Sequence, residues 1–155
     1  MRASRRHLPD GIVQPAALTI PTYNLFAAKV KPMRPWLLIA ALNGLIAVAA
    51  GAYGHHALAT SDSGHREYFE TGVTYQMWHA LALLAVAWLV EKTGPVARTA
   101  SVAGIFFSAG IICFSGSLYY LGLTEQPLVR FAAPLGGILL MAGWAALAWA
   151  ALRRD

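Results

Sequence analysis

Charge is scarce in this sequence. Lys, Arg, Asp and Glu supply 12% of its 155 residues, whereas apolar residues supply 57%; the charged share is about half that of an ordinary soluble domain. A core built from one chain of this length cannot absorb such an excess, and a bilayer can. Acid is scarcer still. No carboxylate falls inside any of the long apolar runs; Glu67, Glu70, Glu91 and Glu125 all lie in or near their connections. That removes the membrane-embedded carboxylate on which small proton-coupled exporters rely. Cys113 is the single cysteine, so no disulfide forms within the chain, and its place inside an apolar run suits a small, soft packing residue better than a reactive thiol. There is no H-E-x-x-H pair and no G-x-S-x-G elbow, which excludes the zincin and α/β-hydrolase signatures. The net charge of +5 would point to nucleic acid only if the basic residues clustered on a foldable surface. They sit at the ends of apolar runs instead, so nucleic acid is not an expected partner.

What the sequence does have is four runs long enough to cross a membrane, at about 36–58, 72–90, 100–121 and 132–152. About 20 helical residues at ~1.5 Å each cover the ~30 Å hydrocarbon layer. Helix is the only plausible conformation, because each segment must satisfy its own backbone polar groups and none shows the alternation of a barrel strand. Gly94-Pro95 punctuates one connection, and Pro127 and Pro134 another, with Pro134 in the first turn of the fourth helix. Lys and Arg then set a direction. Arg2, Arg5, Arg6, Lys29, Lys31 and Arg34 precede the first run, Lys92 and Arg98 lie between the second and third, and Arg153 and Arg154 follow the fourth; the other two connections hold only Arg66 and Arg130. Both termini are therefore expected in the cytoplasm. A cleavable signal peptide is the rival reading of the first run, given "AVAAGA" at 47–52. The run continues past those small residues, so it is expected to remain as a span.

Residues 1–33 are a different material, with four prolines and no sustained helical period. They read as a disordered extension or as sequence ahead of a true start at Met33, leaving 34–155 as the transmembrane domain. A transit peptide is the less favoured reading. The polar connection 61–73 is expected to form a short interfacial helix capped by Asp62 or Ser63.

Small residues mark the faces that approach other helices. Gly44, Ala47, Gly51 and His55 share a stripe on span one. Gly104, Ser108 and Ser115 share one on span three, with Ala109, Cys113 and Gly116 on its other side, and Gly136 and Gly143 share one on span four beside Gly137. Close packing is what holds helices together in lipid. Trp36, Trp88, Trp144, Trp149, Tyr119 and Tyr120 lie mostly toward span ends, as an interfacial belt would; Trp78 is expected to pack between helices.

Polarity within this apolar body is concentrated in two stretches, "GAYGHHAL" (51–58) and "YQMWHAL" (75–81). Gly72, Tyr75, Gln76 and His79 fall within about a 100° arc of span two. A polar face turned to lipid is unfavourable, so it is expected to turn inward, with Asn43 and the serines of span three as partners. A metal or haem site drawn from His55, His56, His65, His79, Glu67 and Glu70 matches no established ligand spacing, and adjacent histidines on a helix diverge by about 100°. A proton or solute path is the second reading. The favoured one is an interhelical hydrogen-bond clasp between spans one and two on the outer side, whose packing protonation of His56 or His79 would shift.

Four blocks carry a resemblance: "GAYGHHAL", "FETGVTYQMWHALALL", "FSAGIICFSGSLYYL" and "PLGGILLMAGWAALA". In this order they resemble the small four-helix membrane family first catalogued as a domain of unknown function, which includes the bacterial YgdD-like proteins and the eukaryotic transmembrane protein 256 group. The resemblance covers about residues 33–152. It implies an integral membrane protein with no established activity. It also implies that His56 is the family histidine, because a small residue usually stands where this chain has His55. Tyr75, Gln76 and His79 match as well, as do Gly51, Gly54, Gly116, Pro134, Gly136 and Gly137, read as helix contacts and bends.

The expectation is thus an all-α bundle of four transmembrane helices in the cell inner membrane, or the mitochondrial inner membrane if the source is eukaryotic. Its candidate functional cluster is His55, His56, Tyr75, Gln76, His79 and Asn43. No catalysis, metal or cofactor is expected. The chain would act as an accessory or packing partner, in contact with lipid and with another membrane protein or a second copy. A small oligomeric transporter is the alternative, and a metal or haem protein the third.

Overall fold

The computed structural model describes residues 34–58, 63–92 and 94–153. The reading of residues 1–33 and the capping role of Asp62 or the Ser63 side chain lie outside the described residues. Four helices follow one another: α1 (Pro35–Ala57), α2 (Ser63–Val90), α3 (Gly94–Thr124) and α4 (Ala132–Leu152). Among the described residues there is no strand. All four helices are long and apolar enough to cross a membrane.

The local chemistry of the ends explains where the helices begin and stop. Pro35 opens α1, and Pro95 and Pro134 sit in the first turns of α3 and α4, where a missing N–H costs nothing. Gly94 enters α3 at φ +71° and Glu125 leaves it at φ 60°; Pro127 follows two residues later. The outer two helices match expectation to within a residue. The inner two are longer than the apolar runs. α2 has no separate interfacial helix before it: the helix is continuous from Ser63, held by an Arg66–Glu70 pair at 2.7 Å one turn apart. The Gly94-Pro95 pair is a helix start rather than a loop, and Thr99 and Ser101 bond back to the carbonyls of Pro95 and Ala97 at 2.9 Å. At ~1.5 Å per residue, α2 with 28 residues and α3 with 31 exceed the ~30 Å hydrocarbon layer. Their polar turns therefore extend into the interface.

Consecutive helices supply the main interfaces, α1 on α2, α2 on α3 and α3 on α4. The core lies along α2 and α3: Ala82, Leu83 and Val86 meet Ala103, Phe107 and Ile111, with Ala40 from α1 and Leu140 from α4. The α3–α4 contact is an interlock of opposite sizes. Phe107, Gly110 and Phe114 of α3 face Gly143, Leu140 and Gly136 of α4. A Cβ on Gly143 would come within 2.5 Å of the Phe107 ring, and one on Gly110 within 2.5 Å of Leu140. At Gly136 it would fall on the backbone nitrogen and Cα of Phe114. Dispersion packing of this closeness is the main attraction available between helices in lipid. On α1, Gly54 receives Phe69, a Cβ on Gly51 would come 3.3 Å from Val73, and Gly104 of α3 receives the Trp36 ring.

Some expected contacts are absent. A Cβ on Gly44 or Gly116 would meet nothing within 4 Å, and on Gly137 only the Phe114 ring at 3.9 Å. The seam of α1 follows buried Ala40, Ala47 and Gly54, spaced seven apart, and that repeat turns His55 outward. Trp78 is 56% exposed, because the neighbouring Gln76 and His79 take the inward face.

Candidate functional site

A polar side chain buried among apolar neighbours is costly to leave without a partner. Gln76 and His79 on α2 are both 4% exposed, and the partners they find join all four helices. The Tyr119 hydroxyl of α3 donates to Gln76 Oε1 at 2.6 Å. Gln76 Nε2 donates to Asn43 Oδ1 of α1 at 3.0 Å, and Asn43 Nδ2 donates to the Ile39 carbonyl at 2.9 Å. Each amide accepts on oxygen and donates from nitrogen, so the chain runs one way and each bond polarises the next.

His79 carries the second branch. The Trp144 indole N–H of α4 donates to His79 Nε2 at 3.1 Å, while Nδ1 lies 2.7 Å from the Tyr75 carbonyl. An indole N–H can only donate and a carbonyl can only accept. These partners assign His79 as the neutral tautomer with its proton on Nδ1. Aromatic rings enclose the imidazole: Tyr75 stacks on it at 6.0 Å, and Phe107 stands 5.5 Å away. A metal ion at Nε2 would have to displace Trp144. Among the described residues, no three His, Cys, Asp or Glu side chains are placed to hold a metal.

The structure therefore gathers Asn43, Tyr75, Gln76 and His79 from the expected cluster. His55 and His56 are exposed, with their rings 5.3 Å apart. Since Asn43 pairs with Gln76, the antiparallel register sets His56 about 20 Å or more along the axis from His79, at ~1.5 Å per residue. His55 instead lines an open cleft with Gly51, Gly54, Phe69, Glu70, Val73 and Thr74. Trp144 lies near the middle of α4, so the network is not confined to the C-terminal end of α1 and the N-terminal end of α2. The serines are not its partners. Ser108 and Ser117 bond to the carbonyls of Gly104 and Phe114 in their own helix, and Ser115 is buried where α3 meets Gly72.

Tyr119 and Trp144 are the residues that sequence reasoning assigned elsewhere, to the interfacial belt. Two signals point to the network, which Tyr119 joins half-buried and Trp144 joins through its N–H while remaining 49% exposed. Tyr119 lies one turn beyond Ser115 on the same stripe, and Trp144 adjoins Gly143 in mid-helix, where an indole N–H far from water requires an acceptor. The tautomer is directly measurable. In ¹⁵N-imidazole spectra of the protein in lipid, His79 is expected to show a protonated Nδ1 and a bare Nε2. Trp144→Phe removes the donor and should shift the Nε2 resonance alone. A protonated Nε2 in the wild type would contradict the assignment.

Comparison with known proteins agrees with this architecture. Residues 50–137 match the model of a family described as a protein of unknown function, DUF423. The chain is 36% identical over 122 residues to the UPF0382 membrane protein YwdK of Bacillus subtilis, covering 78% of this chain and 98% of the relative. It is 40% identical over 113 residues to the UPF0382 membrane protein SAB0533 of Staphylococcus aureus, covering 72% and 90%. It is 36% identical over 118 residues to the UPF0382 inner membrane protein YgdD of Escherichia coli K12, covering 76% and 88%. No solved structure matches the chain.

Proposed function

This chain belongs to the DUF423 family of membrane proteins of unknown function, and from that premise we propose that it is a non-enzymatic accessory protein, a stiff four-helix body that packs beside a membrane partner. One observation carries the reading. The polar side chains of the network bond to one another across three helix interfaces, so they serve cohesion of the body. Outside it, α1, α3 and α4 carry continuous apolar faces, with Leu45 66%, Ile112 73% and Ile138 58% exposed. These are the surfaces a partner would share with lipid.

The test is a photo-crosslinking residue placed singly at Leu45, Ile112 and Ile138 in living cells. The expected result is one discrete protein adduct from one face, retained when the network is intact. Lipid adducts alone from all three faces would reject the reading. A substrate-dependent proton flux in proteoliposomes, abolished by His79→Gln, would replace it with transport.

The same proposal places both termini in the cytoplasm, supported by Arg34, Lys92, Arg98 and Arg153 at one end of the helices against Arg66 and Arg130 at the other. In a Cys113→Ser background, an impermeant thiol reagent added to intact cells is expected to label Glu125→Cys and to spare Lys92→Cys until the membrane is opened. The reverse pattern would invert the topology.

A further inference from the structure

The two ends of the helical body differ in charge and in what the charge does. Among the described residues, one end holds Arg34, Lys92, Arg98 and Arg153 with a single acid, Glu91; the other holds Arg66 and Arg130 with Glu67, Glu70 and Glu125. Glu91 is already engaged by Arg34 at 2.9 Å. Lys92, Arg98 and Arg153 thus form no ion pair among the described residues. Two of these three cations are arranged alike. Lys92 Nζ lies 5.1 Å above the Trp88 ring, and Arg153 Cζ lies 5.3 Å above that of Trp149. In each case the tryptophan precedes the cation by four residues at the C-terminal end of its helix, one on α2 and one on α4. Trp88 is 61% and Trp149 55% exposed, so both rings face the lipid rather than the core. At the end of a span an exposed indole settles at headgroup depth, and a cation riding on it is held at that depth too. Arg98, exposed in the first turns of α3, supplies a third charge at the same end.

We propose that this end is a binding surface for anionic phospholipid headgroups, with Lys92, Arg98 and Arg153 receiving phosphate charge and Trp88 and Trp149 fixing the depth at which they meet it. The occupant follows from complementarity: cations without an ion pair among the described residues, at headgroup level and flanked by lipid-facing indoles, fit the phosphates of lipids that carry net negative charge. A zwitterionic headgroup offers each cation less net attraction. The proposal stands apart from the accessory reading, because it concerns lipid selection and needs no protein partner.

The protein is reconstituted in nanodiscs of equal parts phosphatidylcholine and phosphatidylglycerol, and the lipids that stay bound on release are counted by native mass spectrometry. A juxtamembrane cation contributes ~1 kcal/mol toward an anionic surface, about five-fold in occupancy per group. The wild type is expected to retain phosphatidylglycerol several-fold over its bulk share, with the excess falling as salt is raised. Each of K92Q, R98Q and R153Q should lower it, and the triple variant should return it to the bulk ratio. R66Q/R130Q, at the opposite end, should leave it unchanged. A wild-type annulus of bulk composition would overturn the proposal, since that result depends on no variant folding. So would an excess that persists in the triple variant, or one lost equally in R66Q/R130Q.

Discussion

Gly136→Ala is expected to break the α3–α4 contact. The added Cβ would fall on the backbone of Phe114, and a backbone inside a helix cannot swing aside as a side chain can. Overpacking a core usually costs about 1–3 kcal/mol; here the helices must separate, which places the cost at about 3 kcal/mol or more. Gly143→Ala meets the Phe107 ring, which is fully buried but has a torsion with which to adjust, so a smaller loss is expected. Gly116→Ala is the control. It meets nothing within 4 Å and replaces glycine by a better helix former, so it should be neutral or stabilise by up to ~1 kcal/mol. Thermal unfolding of the three variants in one detergent reads the order. If Gly136→Ala unfolds with the wild type, α3 and α4 do not meet in this register.

Gln76→Leu is the second large effect. The substitution puts an apolar side chain of similar size in place of the amide and strands Asn43 Oδ1 and the Tyr119 hydroxyl at once. Interhelical polar contacts in membranes average ~0.6 kcal/mol and reach ~1.7, while a buried polar group left without a partner costs about 1–3 kcal/mol. Two such groups place the loss at about 2–4 kcal/mol. The cycle with Tyr119→Phe separates the bonds from mere change of shape. Once Tyr119 has lost its hydroxyl, Gln76→Leu should cost less than it does in the wild type. Strict additivity would mean that Tyr119 and Gln76 are not coupled, and the network reading would fail.

The spans were legible because length and apolarity alone decide whether a segment can cross. Proline near the starts fixed the outer helices closely. The same criterion failed at the ends of α2 and α3. There the helix outlasts the apolar run: Arg66, Glu70, Thr99 and Ser101 satisfy themselves along the helix surface, and hydropathy carries no signal for that. Glycine was legible as a type and less so as a position. Gly136 and Gly143 met partners, Gly44 and Gly116 did not, and Gly110, which receives Leu140, was not singled out at all. Which side of a helix is covered depends on neighbours far away in sequence. The site divides in the same way. Asn43, Gln76 and His79 declared themselves by being polar in an apolar setting. Tyr119 and Trp144 did not, because an aromatic residue with one polar atom fits the interface and the interior equally well, and only the register between helices separates the two. The adjacent histidines drew attention by their sequence, yet their distance from His79 follows from the antiparallel pairing of α1 with α2.

His79 and Trp144 are separated by 65 residues, and that interval is also a delay. A ribosome adding about 5–20 residues per second takes roughly 3–13 s to make what lies between them. During that time the first helical hairpin exists with its imidazole acceptor formed and its indole donor not yet synthesised. Asn43 and Gln76 can already pair within the hairpin, but Tyr119 and Trp144 arrive in turn with the third and fourth helices. The nascent chain is therefore completed in steps, α3 and then α4 each closing one bond that α2 left open. A chain stopped before α4 leaves the ribosome with His79 still unmatched, a mark by which an unfinished copy differs from a finished one.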